Sequence, residues 1–212
     1  HELARDPDRL RARDVGEQEP PARADLVIRG ALVYDGSGAD GRIADVAVTG
    51  DRIAAVGDLG ASQGTVEIAA EGKALAPGFI DVHTHDDRLL VANPEMTPKI
   101  SQGVTTVVAG NCGISLAPLT RPGLPPSPFD LLADRPEYCF ASMADYFTHL
   151  DETPAATNSV ALVGHSVLRY DAMDDLGRAA TDAEIAAMQA LLAEALEAGA
   201  IGLSSGMFYP PA

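Results

Sequence analysis

The rhythm of hydrophobic and polar positions changes once along this chain, near Gly78. From residue 24 to 78, short β-rich runs alternate with glycine and aspartate turns. Residues 26–29 and 31–34 precede the turn Asp35-Gly36-Ser37-Gly38. Residues 45–48 then lead through a hairpin turn, Thr49-Gly50-Asp51-Arg52, into residues 53–56. Such a pattern predicts a small all-β unit with many exposed edges. Beyond Gly78, strands alternate with helices. Residues 79–85, 104–109, 159–164 and 200–205 read as four strands, and the second is β-branched and non-alternating, as in a strand buried on both faces. The strongest helix signal lies between the third and fourth strands. Thr181 and Glu184 form a capping box, an Ala/Leu/Glu-rich run reaches Glu197, and Gly199 closes it. A second helix is predicted near residues 143–150, and the proline-rich stretch 115–136 reads as an irregular excursion over one end of the fold.

Alternating strands and helices imply right-handed crossovers and a parallel sheet. The fold class is therefore α/β, either an open sheet or the first half of an eight-stranded (β/α) barrel. In a barrel the catalytic groups gather at the C-terminal ends of the strands. The polar candidates obey that rule: His83 and His85 end the first strand, Cys112 follows the second, His165 ends the third, and Ser204 and Ser205 end the fourth.

Composition narrows the function. A net charge of −16 leaves no basic stripe for phosphates, which excludes a nucleic-acid binder. No apolar run approaches a membrane span. Two cysteines, Cys112 and Cys139, are too few for a disulfide framework, and a cytoplasmic protein is expected. Residues 1–23 alternate acids and arginines, lack the apolar core of a signal peptide, and are expected to form a solvated, disordered tail.

The chemistry concentrates in Asp81-Val82-His83-Thr84-His85-Asp86. On a continuous strand His83 and His85 would share one face about 7 Å apart, and two imidazoles there can converge on one cation. Cys112, between glycines at positions 110 and 113, is either a thiolate ligand to the same ion or a small buried hydrophobe. Cys139 reads as the latter. Asp81 is placed to orient an imidazole or to bond a neighbouring strand. Asp86 and Asp87 either draw a cation or form a solvated turn. His165 is a candidate substrate contact or a hydrogen-bonded histidine at the core edge.

These residues carry a resemblance. Residues 76–87, 97–108 and 110–115, with Val163-Gly164-His165-Ser166, residues 199–206 and Phe208-Tyr209-Pro210-Pro211, resemble the amidohydrolase superfamily. More narrowly, they are similar to the N-acyl-D-amino-acid deacylases (D-aminoacylases), from whose relatives the Asn-Cys-Gly after the second strand separates them. The similarity spans about residues 25–212.

The resemblance implies a TIM-type (β/α)8 barrel, of which residues 79–212 form the first four β/α units. It also implies a small β-sandwich domain built from both chain ends, to which residues 24–78 contribute. It implies that His83, His85 and Cys112 bind one or two zinc ions, with Cys112 serving where many relatives use a strand-four lysine; neither Lys73 nor Lys99 lies at a strand end. The activity implied is hydrolysis of small-molecule N-acyl-D-amino acids, with Tyr209 in the substrate-pocket wall. The family's general-base aspartate and two further histidines are expected downstream. Opening on His1 and closing just past the fourth strand, the chain is expected to be an N-terminal part that is inactive alone. Competing readings are a cyclic-amide hydrolase of the dihydroorotase or hydantoinase type, disfavoured by Cys112 and the missing lysine, and a non-catalytic scaffold, disfavoured by the retained ligands.

Overall fold

A computed structural model describes residues 20–207, so most of the N-terminal tail (residues 1–19) and Tyr209 lie outside it. The chain divides into two compact units at Pro77/Gly78.

In the first unit β1 (Arg23–Val33), β2 (Arg42–Thr49), β3 (Arg52–Gly57), β4 (Gln63–Ala69) and the short β5 (Ala74–Leu75) form one sheet. Its order is β3-β2-β1-β4, with β5 also paired to β1. The two β-rich runs at 26–34 are a single bulged strand, whose register against β2 shifts between Ile28 and Ala31. Gly30 sits there at φ +65°, a left-handed conformation that favours glycine. Asp45 fastens the bulge, accepting from the Gly30 N–H at 2.8 Å and from Arg29 at 3.0 Å. The bulge lets β1 pair in parallel first with β4 and then with β5. The β2–β3 hairpin turns at Gly50 and Asp51, where the Gly-Asp pair predicted it.

The second unit is α/β. Its three-stranded parallel sheet has β7 (Val104–Ala109) between β6 (Phe79–Asp81) and β8 (Asn158–Ala161). The crossover from β6 to β7 carries α1 (Asp87–Ala92) and α2 (Thr97–Ile100), and that from β7 to β8 carries α3 (Met143–Glu152). A separate parallel pair, β9 (Val163–Gly164) with β10 (Leu203–Ser204), is joined through α4 (His165–Ala172) and α5 (Asp182–Ala198).

Three expectations change. The first strand stops at Asp81, four residues early, where its ladder with β7 ends opposite Val107. The third strand is broken at Leu162: the Leu162 N–H bonds to Ala109, and the Val163 N–H bonds to Gly202. The chain thus leaves β7 and joins the next pair. The 115–136 stretch is irregular, as expected, but it is more than an excursion: residues 120–128 are mostly exposed, whereas the parts on either side enter the core. Leu116, Ala117, Phe129 and Ala133 are almost fully buried with Tyr146, Val167 and Leu168, and 3-10 turns at Phe129–Leu131 and Pro136–Tyr138 shape the segment around them. Its backbone is satisfied locally, as by Phe140 N–H to Leu116 and Leu119 N–H to Phe140. Among the described residues, no helix is long and apolar enough to cross a membrane.

Candidate metal centre

Because β6 ends at Asp81, His83 and His85 stand on the loop beyond the strand rather than on it. Their common orientation has another cause. Thr84 between them is buried and turned toward β7, with its N–H and its hydroxyl both bonded to the Val108 carbonyl, at 3.2 and 2.9 Å. The flanking imidazoles remain exposed, with ring centroids 6.0 Å apart.

Cys112 meets them from the loop after β7, its Sγ 3.1 Å from His83 Nε2. It adopts φ +55°, a region that residues with a β-carbon rarely occupy. The neighbouring Asn111 holds this loop to the histidine segment, its amide donating to the carbonyls of Val108 (2.8 Å) and Thr84 (3.3 Å). One donor atom each from His83, His85 and Cys112 lies within 4.8 Å of the others, and among the described residues no other such group of three occurs. Zinc bonds nitrogen and sulfur at about 2.0–2.3 Å, so one ion can reach all three, and two imidazoles with a thiolate are a donor set that zinc accepts. Burial, followed by the nearness of His83, lowers the pKa of His85 and favours the neutral imidazole that a metal needs.

The acids around the histidines behave differently from expectation. Asp81 accepts no imidazole N–H; it accepts from Lys99 Nζ at 2.8 Å, and that bond holds its carboxyl below the usual range. Lys99 also lies 2.9 Å from Asp86, so one ammonium joins both ends of the hexapeptide carrying the histidines. Asp87 forms no solvated turn. It is 1% exposed, and burial pushes its carboxyl up to about 7. Tyr146 donates to its backbone carbonyl at 3.2 Å.

His165 opens α4 and stands apart from the three converging side chains. It is half-buried, its Nδ1 has no hydrogen-bond partner among the described residues, and burial and then Arg169 lower its pKa. Cys139 is half-buried away from the site, and burial raises its thiol pKa. Sequence reasoning marked Asn111 only as part of the Asn-Cys-Gly motif and Ser204 only as a polar residue at a strand end, and it gave Lys99 no role in the site. Lys99 left one signal, as one of two lysines beside thirteen arginines.

A parallel sheet with two imidazoles and a thiol beyond its strand ends has the layout of a metal-dependent hydrolase. The chain belongs to the amidohydrolase family, which matches residues 66–211. It is 59% identical to an N-acyl-D-aspartate deacylase of Alcaligenes xylosoxydans xylosoxydans over 92% of its length, covering 39% of that protein. It is 48% identical to an N-acyl-D-glutamate deacylase of the same organism, covering 38% of it. A D-aminoacylase crystal structure superposes with a TM-score of 0.85 at 56% identity, over 89% of this chain and 40% of that one. The N-acyl-D-glutamate deacylase of Bordetella bronchiseptica, crystallised with zinc and a phosphonate inhibitor mimicking the tetrahedral intermediate, superposes with a TM-score of 0.85 at 48% identity, again over 89% and 40%. The chain spans about two-fifths of the length of these relatives.

Proposed function

We propose that this chain carries part of the zinc site of an enzyme that hydrolyses the amide bond of N-acyl-D-amino acids, releasing a carboxylate and a free D-amino acid. The observation that carries this reading is the convergence of His83, His85 and Cys112 within 4.8 Å. The similarity to deacylases supports it. In this reading β6 to β10 belong to the first half of a TIM-type (β/α)8 barrel, and residues 24–78 are part of a small β-sandwich domain. The protein is cytoplasmic and acts on small molecules.

His83 and His85 offer neutral imidazole nitrogens, and Cys112 binds as thiolate after losing its Sγ proton. One or two zinc ions held there would polarise the acyl carbonyl and lower the pKa of a water toward about 7. Lys99 keeps Asp81 and Asp86 occupied as its own ion-pair partners, which would leave the imidazoles and the Cys112 thiolate to hold an ion. His165 and Tyr209 are assigned to the substrate.

The test is a panel of N-acyl-D-amino acids, with their L-enantiomers as controls, offered to the zinc-loaded full-length protein. Hydrolysis is expected for the D-series, abolished by chelation and restored by zinc. Cys112→Ala should lower the zinc content. No turnover of any D-substrate, or full activity after complete metal removal, would refute the reading.

A further inference from the structure

Ser204, in the short β10, occupies a position that the metal-site reading does not use. Its hydroxyl donates to the carbonyl of Gly110 and accepts from the N–H of Gly113 at 3.0 Å. These two residues bracket Asn111 and Cys112, so one side chain from the far end of the second unit closes the cysteine loop. Both lone pair and proton are used, and among side chains as short as this a hydroxyl supplies both strongly, whereas a thiol is only a weak donor and acceptor.

A second, independent feature points to the same loop. Gly206, two residues past Ser204, lies so close beneath Cys112 that a β-carbon there would run into the Cys112 carbonyl oxygen. Gly113, at φ +78°, likewise packs where a β-carbon would press on Ser166 Oγ and the Gly206 N–H. Cys112 itself sits at φ +55°. A residue with a β-carbon persists there only when its surroundings enforce it. The chain around β10 supplies that enforcement through one hydrogen-bonding hydroxyl and one close backbone contact.

We propose that Ser204 is a positioning residue for the metal centre: it holds the Gly110–Gly113 loop in the conformation that aims Cys112 Sγ at His83 and His85. Thus β10 serves the site through the cysteine, contributing support rather than a ligand. This rests on the reading of His83, His85 and Cys112 as metal ligands.

Co(II) is the probe, because a cobalt–thiolate bond gives a charge-transfer band that cobalt–imidazole bonds do not. Apo full-length protein is titrated with Co(II), and thermal unfolding is followed in parallel. Ser204→Ala should bind Co(II) about 10- to 100-fold more weakly, the loss expected when a group supporting a ligand is removed. Its thiolate band should be diminished, and Ser204→Thr, which keeps the hydroxyl, should restore both. Ser204→Val, equal in shape to the Thr variant, gives the same comparison should the Ala variant fail to fold. Co(II) affinity and band intensity unchanged in Ser204→Ala, or lost equally in the Thr and Val variants, would overturn the proposal. A wild-type spectrum without a thiolate band, unaltered by Cys112→Ala, would instead overturn the ligand assignment, and the supporting role would fall with it.

Discussion

Lys99 stands between two carboxylates, 2.8 Å from Asp81 and 2.9 Å from Asp86, in a chain that otherwise relies on arginine. An ammonium is a compact point charge with three rotatable donors, so it can serve two acids approaching from different directions; a planar guanidinium is less able to. Asp81 ends β6 and Asp86 precedes α1, and the segment between them carries both histidines. Replacing Lys99 with methionine keeps the length of the side chain and removes the tie. Two partly buried carboxylates would then face each other beside the imidazoles with no cation to balance them. Lys99→Met should therefore lower both the zinc bound per chain and the thermal midpoint, while Lys99→Arg should fall between it and wild type. Wild-type values for both measurements in the Met variant would exclude this role.

At the scale of elements, locally encoded structure and tertiary structure separate cleanly. The helix α5 begins after Thr181 and ends at Gly199, as its capping box and glycine predict, because those signals act within one turn of each helix end. Its start makes a pH prediction. Arg178 first, and then the Thr181 N–H, hold the Glu184 carboxyl down at about 2 against an ordinary 4.5. A carboxyl lowered in the folded state stabilises it above the ordinary value, and that contribution is lost as pH falls from 4.5 through about 2. Glu184→Gln keeps a capping side chain but loses the charge, so its thermal midpoint should fall less steeply over this range than that of wild type. Parallel curves would show that the ion pair contributes nothing.

The β7 strand was legible for a similar reason, since six residues rich in β-branched side chains favour a strand, although only Val107 and Ala109, on one face, are buried and the other face is half-buried. The irregularity of the 115–136 stretch was legible in its prolines, but the burial of its two sides was not, because that burial comes from distant partners. Phe129, 1% exposed, packs against Tyr170 with ring centroids 5.2 Å apart. Phe129→Ala should cost about 3–5 kcal/mol, as for an aromatic ring removed from a core, and chemical denaturation would read this as a lowered midpoint. A loss within the range of surface substitutions would mean that the segment is not core. The histidines fall between these cases. Their pairing was visible in the sequence, yet their common orientation depends on Thr84 bonding to Val108, a contact between the loop after β6 and strand β7.

At the scale of the molecule, the parallel sheet of the second unit has β6 at one edge and β8 at the other. The β6 edge is apolar and open: Phe79 is 64%, Ile80 61% and the adjoining Val82 68% exposed. Ile201 at 62% and Met207 at 81% add further uncovered apolar surface near β10. Charged or proline residues normally blunt such an edge, and here Asp81 is instead committed to Lys99. An uncovered strand of this kind is a template for pairing with another chain, and its burial is favourable at roughly 25 cal/mol per Å² of apolar surface. The 212-residue polypeptide on its own should therefore self-associate at micromolar concentration, and Ile80→Lys, which places a charge on the open edge, should shift it toward monomer. Sedimentation velocity distinguishes the outcomes. A sharp monomer boundary for the unmodified polypeptide across that range would show that the β6 edge is not the adhesive surface its exposed side chains describe.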